Sequence, residues 1–580
     1  MKFVVIGAGG TGGPIGAYMT RAGKDVTLIA RGSHLQAMRE QGITLRKTWG
    51  KTEVIAPVKV SSMDEFQGTA DVIFVCVKGY SLEETIPFIR RISGKNTVVI
   101  PILNIYGTGG RLQEQLPGIL VTDGCIYISA NLEGAGQLLM HGQIFRIVFG
   151  VRKKEEYRPV LEQIVQELKE CGIEGILSED IRRDALVKFS YVSPAGVCGL
   201  WYQAPAAAMQ QPGEARERFC SLVDEISRLG EAMGITFQEN LVERNLKILD
   251  DLAPEATTSM QRDVYAGKRS EIEGLLFEVV RMGKDWGVDL PCYREAAQRF
   301  SKLRNIRMIG LDLDGTVFNN DKEITEATRK ALGEAIRQGV VVLPATGRHR
   351  NGLPQAFLEI PGVRYAVTAN GSRILDLKTE ETIYACLIPW DRAQEIISEI
   401  EDCPDGSWEA YFNGKCYVDQ DKYVYIQHPD MTPAMVEYIR KSRNAMPNLK
   451  EYMRENKIGV EKLHMVFADT KKRNQMLERL KRHKDLDVSF ATSFNLEVIS
   501  SKAGKGNGLL ELGKILGIPR EGIMACGDAP NDWDMLRKAG FAVVMGNADE
   551  ETKKLADVVT ESNQEDGVAR AVERYILRDK

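Results

Sequence analysis

The glycines near the start of the chain have the spacing of a phosphate-binding loop. The segment Gly7-Ala8-Gly9-Gly10-Thr11-Gly12 directly follows an apolar run at residues 3 to 6 and opens a helical stretch. In this context Gly7 permits a tight turn, Gly9 lets the backbone approach a pyrophosphate, and Gly12 lets helix and strand pack closely. The helix N-terminus then faces the phosphates. The spacing favours a dinucleotide site, and a glycine-rich turn without a ligand is the alternative.

Arg31 indicates which dinucleotide this site takes. It ends the second apolar run, residues 26 to 30, and no acidic residue stands at the tip of that run. Enzymes that use NAD usually place an acid there to bind the ribose 2′-hydroxyl. A guanidinium instead suits a 2′-phosphate, through paired hydrogen bonds. We therefore predict NADP(H) as the cofactor, and the alternative is that Arg31 is a solvated loop residue.

Polar residues end two further apolar runs of the first half. Lys78 follows the run at residues 72 to 77, and Asn104 follows the run at residues 98 to 103. Ligands of open α/β sheets bind at the carboxyl ends of the strands. We therefore predict that Lys78 and Asn104 join the glycine loop and Arg31 in binding the cofactor.

The second half of the chain carries four short motifs that together suit phosphoryl transfer. Carboxylates can act as nucleophile, proton donor and Mg²⁺ ligand, whereas hydroxyl and ammonium groups neutralise phosphoryl oxygens. Singly, each acid could be a solvated loop residue, but in this order the motifs predict one magnesium-dependent site. The motifs are Asp312-Leu313-Asp314-Gly315-Thr316, Ala345-Thr346-Gly347-Arg348, Gly504-Lys505-Gly506 and Gly527-Asp528-Ala529-Pro530-Asn531-Asp532.

The elements that position these residues are expected to form several domains. At 580 residues, with 43% hydrophobic and 27% charged residues and a net charge of -4, the chain has an ordinary globular composition. Short β-branched runs alternate with helical stretches in the first part, helix-period segments dominate the next, and strand-helix alternation then returns. We predict a Rossmann domain at 1–177, an all-α domain at 178–303 and a second α/β domain thereafter.

The cysteines and the hydropathy pattern indicate the compartment. The ten cysteines include no Cys-x-x-Cys pair, and no apolar run approaches the length of a membrane span. We therefore expect a cytoplasmic protein with reduced thiols. Neither nucleic acid nor a membrane is expected as a partner.

Residues 1 to 295 resemble the ketopantoate reductase family. The resemblance implies reduction of a 2-oxo acid by NADPH, with Lys188 protonating the growing alkoxide. It also implies that Glu271 holds the substrate and the lysine, that Ser259 binds the substrate carboxylate, and that Asp263 lies in the substrate site. The motifs that carry the resemblance are the glycine loop, Cys76-Val77-Lys78, Asn104 with Gly107, Lys188 on a helix, and Ser259-Met260-Gln261-Arg262-Asp263 with Glu271.

Two features of this region qualify the resemblance. Ser259 and Asp263 share a helix face, whereas Glu271 joins them only if the helix bends or breaks near Gly267. Characterised ketopantoate reductases carry asparagines just after the catalytic lysine, but residues 189 to 196 of this chain contain none. The sequence therefore leaves the identity of the 2-oxo acid open.

Residues 305 to 580 resemble the haloacid-dehalogenase superfamily, whose four motifs occur here in order. The segment Thr368-Ala369-Asn370-Gly371 further points to its Cof-like branch. The resemblance implies a Rossmann-like α/β core at 304–384 and 471–580, with an α+β cap inserted at 385–470.

This second resemblance also implies roles for individual residues. Asp312 is implied to attack phosphorus, and Asp314 to protonate the leaving alcohol and later to activate water. Mg²⁺ is implied to bind Asp312, the backbone carbonyl of Asp314 and Asp528, with Asn531 and Asp532 supporting the metal or Lys505. The residues implied to contact the phosphate ester are Thr346, Asn370, Lys505 and Asn531.

The preferred interpretation is a bifunctional enzyme whose partners are small molecules, a 2-oxo acid and a phosphate ester. Whether it forms a homodimer is left open. A different interpretation is an NADP-sensing module that regulates the phosphatase, and the presence of both Lys188 and Glu271 argues against it. A purely structural fusion is a third interpretation, which both sets of chemical residues disfavour.

Overall fold

The computed structural model describes residues 1–402, 406–420, 430–431, 433–490 and 492–577. These divide into two compact units, Met1–Arg299 and Phe300–Lys580. Within the described ranges, no helix has both the length and the apolar character that crossing a membrane requires.

The first unit begins as a strand-helix alternation and ends in helices. Its strands are β1 (Lys2–Ile6), β2 (Asp25–Ile29), β3 (Ile43–Lys47), β4 (Glu53–Ile55), β5 (Val60–Ser61), β6 (Ala70–Val75), β7 (Ser93–Pro101), β8 (Leu120–Val121), β9 (Asp123–Tyr127), β10 (Ala130–Gly134), β11 (Gln137–Met140), β12 (Arg146–Gly150) and β13 (Glu174–Leu177). Its helices are α1 (Gly12–Arg21), α2 (Gly32–Gln41), α3 (Leu82–Ile92), α4 (Thr108–Gln115), α5 (Val160–Glu170), α6 (Ile181–Tyr202), α7 (Ala207–Gln210), α8 (Glu214–Ala232), α9 (Leu241–Asp250), α10 (Ser259–Tyr265), α11 (Glu278–Asp285) and α12 (Pro291–Arg299).

The main sheet of the first unit is parallel, with strand order β5-β2-β1-β6-β7-β8. Alternate residues of β1 contribute to two different hydrophobic clusters, Phe3 and Val5 to one, Val4 and Ile6 to the other. The sheet is therefore covered on both faces, as parallel sheets require. Its carboxyl edge carries the loops after β1, β2, β6 and β7, where the sequence analysis placed the cofactor.

Helix α6 is the central helix of the all-α part, and it contains Pro194. Proline has no N–H, so the carbonyl of Ser190, four residues earlier, lacks its helical partner. The side chain of Asn245 on α9 donates to that carbonyl at 3.1 Å and to the Ser190 hydroxyl at 2.9 Å. This pair of hydrogen bonds fixes α9 against α6.

The second unit is again α/β. Its strands are β14 (Met308–Leu311), β15 (Val341–Pro344), β16 (Tyr365–Thr368), β17 (Arg373–Asp376), β18 (Glu381–Ala385), β19 (Gly406–Phe412), β20 (Lys415–Asp419), β21 (Arg443–Met446), β22 (Lys462–Phe467), β23 (Leu486–Ser489), β24 (Asn495–Ser500), β25 (Ile523–Gly527), β26 (Phe541–Val544) and β27 (Val558–Val559). Its helices are α13 (Glu326–Arg337), α14 (Gln355–Leu358), α15 (Trp390–Glu401), α16 (Pro433–Ser442), α17 (Leu449–Glu455), α18 (Thr470–Leu480), α19 (Lys505–Leu516), α20 (Trp533–Lys538), α21 (Glu550–Lys553) and α22 (Gly567–Tyr575).

Two main sheets organise the second unit. The core sheet is parallel, with order β15-β14-β25-β26-β27, and the insert forms a separate mixed sheet with order β21-β20-β19-β22-β24-β23. These sheets confirm the predicted fold class, an α/β core with an α+β insert following a Rossmann domain and an all-α domain. Strands β23 and β24 lie beyond residue 470, so the insert's sheet continues past the predicted end of the cap, because β24 pairs with β22.

Candidate active sites

The glycine loop of the first unit has the steric features of a phosphate-binding turn. Gly7 has a φ of +97°, in the region that favours glycine. A Cβ at Gly12 would lie 2.1 Å from the carbonyl oxygen of Gly7, so this position admits only glycine. A Cβ at Gly9 would meet no atom within 4 Å, so the space beside that residue is open. The loop can therefore receive a pyrophosphate at Gly9 while it packs tightly at Gly12.

A histidine that the sequence analysis missed braces this loop. The Nε2 atom of His34 donates to the carbonyl of Ala8 at 2.8 Å, and its Nδ1 accepts from the backbone N–H of Gly136 at 2.9 Å. His34 lies on α2, whose first residue directly follows Arg31, and Arg31 itself is exposed. The histidine thus links the glycine loop to the segment that carries the predicted 2′-phosphate ligand. A lone histidine carries no sequence signal for such a role.

Lys78, Asp263 and Glu271 converge at the carboxyl edge of the sheet. The ammonium of Lys78 donates to Asp263 and to Glu271, at 3.1 Å each, and Glu271 also accepts from the N–H of Gly79 at 3.0 Å. This arrangement is possible because the helix breaks at Gly267, which has a φ of +63°. Burial alone would lower the pKa of Lys78, but Glu271 and Asp263 together raise it. The lysine that Glu271 holds here is Lys78.

Lys188 and Asn104 form the second polar pair of this site. The Nζ atom of Lys188 donates to Oδ1 of Asn104 at 2.9 Å and lies 5.9 Å from the centre of the Tyr127 ring. Burial lowers the pKa of Lys188, and the negative charge of Glu271 partly opposes that shift. A buried lysine with a lowered pKa gives up its proton more readily than a solvated one. Ser259 is half-buried at the first position of α10.

The second unit places three aspartates around one point. Ligand oxygens of Asp312, Asp528 and Asp532 all lie within 4.8 Å of one another. Burial raises the pKa of Asp528 to about 6, and burial together with Asp532 raises the pKa of Asp312 as well. Clustered carboxylates of this kind destabilise one another unless a cation lies among them. The donor set, all oxygen, fits Mg²⁺.

Lys505 supplies a fixed positive charge beside this cluster. Its Nζ donates to Asp312 at 2.5 Å and to Asp532 at 2.7 Å, and the side chain is buried. Burial acts to lower the pKa of Lys505, but the two carboxylates outweigh it and raise that pKa. The ammonium therefore remains charged next to the carboxylate predicted to be the nucleophile.

The carboxylate of Asp314 lies outside the group of three and has its own cations. It accepts from Lys322 and from Arg348, at 2.8 Å each. Burial would raise the pKa of Asp314, but Arg348 and Lys322 lower it below the ordinary value. Neither cation was assigned a role from the sequence. Arg348 stands in a quoted motif, yet its pairing depends on the path of the loop.

Thr346, Asn370 and Asn531 are the remaining residues predicted to contact the phosphate ester. The hydroxyl of Thr346 accepts from the N–H of Arg348 at 3.2 Å, and Asn370 donates to Glu497 at 2.6 Å. The side-chain oxygens of Asn370 and Asn531 are buried and have no partner among the residues that the structure describes. Unpaired buried oxygens are costly, so a ligand or water is expected to pair with them.

Two side chains orient Asp528 and were not predicted. Thr316 donates to its Oδ1 at 2.7 Å, and Asn547 donates to its Oδ2 at 3.4 Å. Asn547 also donates to the carbonyl of Gly315 at 2.9 Å. A Cβ at Gly315 would lie 2.3 Å from Asp528, so the glycine brings the two acidic loops together.

The matched domains and relatives indicate an oxidoreductase followed by a phosphatase. More particularly, residues 3–154 match the family model of ketopantoate reductase PanE/ApbA, residues 180–303 match the model of its C-terminal part, and residues 309–572 match that of the haloacid dehalogenase-like hydrolases. The two halves of the chain thus match models of two different enzyme families, which confirms both resemblances seen in the sequence.

Each half of the chain is similar to proteins of named activity. A 5-amino-6-(5-phospho-D-ribitylamino)uracil phosphatase, YcsE of Bacillus subtilis, is 29% identical over 47% of this chain and 97% of its own length. A 2-dehydropantoate 2-reductase of Mesorhizobium japonicum is 26% identical over 49% of this chain and 92% of its own length. The solved structure of a ketopantoate reductase from Ralstonia eutropha is 22% identical, with a TM-score of 0.47, over 52% of this chain and 98% of that chain.

Proposed function

We propose that the chain is a bifunctional enzyme that reduces a 2-oxo acid with NADPH and hydrolyses a phosphate monoester with Mg²⁺. The observation that carries the first activity is the half-buried Lys188, which is bonded to Asn104 in the loop after β7. The group of Asp312, Asp528 and Lys505, of which Asp312 and Lys505 are buried, carries the second. In each site, a group whose charge costs free energy to bury has a chemical use in the proposed reaction.

In the reductase, the residues of this chain bind, orient and protonate. The glycine loop holds the pyrophosphate, and Arg31 pairs with the 2′-phosphate. NADPH, when bound, supplies the hydride. Lys188 places a positive charge and a proton at the keto oxygen, where negative charge develops as the carbonyl is reduced. Asn104 holds the ammonium of Lys188 in place through its 2.9 Å hydrogen bond.

The substrate acid needs a second set of groups. We assign its carboxylate to the Ser259 hydroxyl at the start of α10, with Asp263 and Glu271 as neighbours. These two acids neutralise Lys78, which sits at the end of β6. This pairing holds Lys78 after β6 and offsets part of the repulsion between the two acids and the substrate carboxylate.

In the phosphatase, Asp312 attacks phosphorus and forms an aspartyl phosphate, while the ester oxygen leaves with a proton from Asp314. Asp312, Asp528, Asp532 and the backbone carbonyl of Asp314 would hold Mg²⁺, which would screen the charge of the nucleophile from that of the phosphate. Lys505, Thr346 and Asn531 neutralise or orient phosphoryl oxygens. Asp314 then takes a proton from the water that cleaves the acyl phosphate.

Arg348 and Lys322 bear on both roles of Asp314. Their contacts favour the ionised carboxylate, which is the form that activates water. The protonated form that assists the leaving group requires these cations to turn towards the anionic substrate instead. The cations thus couple the protonation of Asp314 to occupancy of the site.

Assays on one preparation test the two activities. We expect NADPH oxidation with members of a 2-oxo acid panel, and Mg²⁺-dependent hydrolysis of p-nitrophenyl phosphate and of the uracil phosphate named for YcsE. Lys188→Ala should lower only the first activity and Asp312→Asn only the second. NADPH binding that alters the phosphatase rate, without reduction of any 2-oxo acid, would instead support the NADP-sensing alternative.

A further inference from the structure

The helix face that carries Lys188 is apolar towards its C-terminal end. Residues four, seven and eleven positions after Lys188 share its face, since a helix turns once per roughly 3.6 residues. In this chain they are Val192, Ala195 and Gly199. Val192 is half-buried, whereas Ala195 and Gly199 are buried. The half-buried neighbour four positions after the proposed proton donor is therefore an isopropyl group.

The two serine hydroxyls of the same helical segment already have hydrogen-bond partners within the protein. Ser190 donates to the carbonyl of Val187 at 2.8 Å, and Ser193 donates to that of Leu275 at 2.6 Å and contacts the hydroxyl of Tyr293 at 2.5 Å. Both serines are fully buried. Neither can bond a substrate without losing these partners.

Val192, Ala195 and Gly199 form an apolar stripe along α6. Helix α10 covers the far end of this stripe without adding a free polar group. The methyl group of Met260 would lie 2.6 Å from a Cβ at Gly196, so its side chain fills the space over that glycine. The amide of Gln261 lies over Gly199, but it donates to the carbonyl of Ala204 at 3.0 Å and accepts from the N–H of Thr258 at 2.9 Å. The stripe that starts at Val192 is thus apolar along its length.

The acidic residue one turn before Lys188 also has its hydrogen-bond partners within the protein. Asp184, one turn before it, accepts from the hydroxyl of Ser178 at 2.6 Å and from Arg183 at 3.0 Å. A substrate carboxylate needs donors, and the stripe after Lys188 offers none. The carboxylate must therefore bind elsewhere, which leaves the stripe to the side chain of the substrate.

We infer that the reductase takes a 2-oxo acid whose side chain is apolar, and that Val192 is the residue that selects it. This inference rests on the proposed reductase activity. A terminal hydroxyl, as in ketopantoate, would lie against Val192 without a hydrogen-bond partner. An apolar pocket rejects an added hydroxyl by about ten- to hundredfold in kcat/KM.

The test compares two substrates that differ in that hydroxyl alone. Trimethylpyruvate is ketopantoate without its terminal hydroxyl, so the ratio of their kcat/KM values with NADPH isolates the group in question. We expect trimethylpyruvate to be preferred about tenfold or more. Val192→Asn should move the ratio at least tenfold towards ketopantoate, and Val192→Thr, of nearly equal size, should move it in the same direction. Val192→Ala, which stays apolar, should keep the preference for trimethylpyruvate.

Each outcome is decisive for one of the two proposals. Preference of the wild-type enzyme for ketopantoate, or a ratio that neither Val192→Asn nor Val192→Thr changes, would overturn the inference and leave the reductase intact. Failure to reduce either acid, or any other 2-oxo acid of the panel, would instead refute the proposed reductase itself.

Discussion

The amide oxygen of Asn104 accepts a hydrogen bond of 2.9 Å from the ammonium of Lys188. The two residues come from different parts of the first unit, Asn104 from the loop after β7 and Lys188 from α6. Their contact joins the parallel sheet of the first unit to α6, the helix that carries the proposed proton donor. A neutral amide can hold the ammonium without adding charge, so burial still governs the pKa of Lys188.

We predict that Asn104→Asp shifts the pH dependence of ketone reduction. Lys188 is a proton donor below its pKa, and burial lowers that pKa, so kcat/KM should fall with rising pH earlier than an ordinary lysine would allow. A carboxylate at position 104 raises the pKa of Lys188 and should move the alkaline limb to higher pH. The measurement is kcat/KM against pH, with Asn104→Ala as the uncharged control. An unmoved limb in Asn104→Asp would exclude Lys188 as the titrating donor.

Cofactor preference should depend on Arg31. We expect NADPH to be favoured over NADH, and Arg31→Asp should erase or reverse that preference because a carboxylate repels the 2′-phosphate. The ratio of kcat/KM for the two cofactors measures the effect. Arg39→Asp is the matched control, since Arg39 is exposed on α2, the helix that follows Arg31, and pairs with Glu65 at 2.8 Å. If Arg31→Asp leaves the ratio unchanged, the 2′-phosphate binds elsewhere.

Some residues of the first site could be predicted from the sequence, and others could not. Gly7, Gly9 and Gly12 were predictable because a tight turn and a close helix-strand contact exclude larger residues. The pairing of Lys78 with Glu271 was not, because it depends on where the helix breaks, and a single glycine is compatible with several paths. His34 was missed for a similar reason, since its partners are backbone atoms that leave no mark on residue type.

The same contrast holds in the second unit. The aspartates of the metal cluster were predictable because a magnesium site needs oxygen ligands next to strand ends. Lys322 and Arg348 were not assigned, because their ion pairs with Asp314 arise from loop geometry alone. The residues of Asn495–Ser500 do not themselves say which of the two sheets this strand joins. That choice depends on contacts distant in sequence.

Asp312→Asn and Asp314→Asn should fail at different steps. An amide is a poor nucleophile and a weaker Mg²⁺ ligand, so Asp312→Asn should abolish hydrolysis of any phosphate ester. Asp314→Asn should still be phosphorylated by acetyl phosphate, whose leaving group needs no proton, but should lose the base that activates water. Acid quenching should therefore trap more phosphoenzyme in Asp314→Asn than in the wild type, and none in Asp312→Asn.

Asp321→Asn serves as the control for this pair, because Asp321 is an exposed acid in the loop that follows the first motif. Asp321→Asn should hydrolyse phosphate esters and acetyl phosphate at the wild-type rate. Phosphoenzyme in the Asp312→Asn variant would place the nucleophile elsewhere.

Magnesium affinity should rise with pH. The pKa of Asp528 is raised to about 6 and that of Asp312 is also raised, so below pH 6 the metal must displace protons to bind. The measurement is titration calorimetry at pH 5.5, 6.5 and 7.5 in buffers of differing ionisation enthalpy. As pH increases, Mg²⁺ should bind more tightly and release fewer protons. The affinity should change by about tenfold per pH unit at most for each proton displaced. Asp528→Asn should flatten this dependence, and equal affinity at all three pH values would contradict the assignment of the cluster as the metal site.

The pairing of β14 with β25 has a consequence for the order of events on the ribosome. Met308 pairs with Ile523 and Leu311 with Cys526, so the central pair of the core sheet joins segments that are made far apart in time. The strands β19 to β24 of the inserted sheet are all synthesised between them. β14 can pair early with β15, but its other edge lacks its partner until every strand of the insert has been made. That edge of β14, whose four residues are buried, must therefore be kept from wrong pairings until β25 emerges.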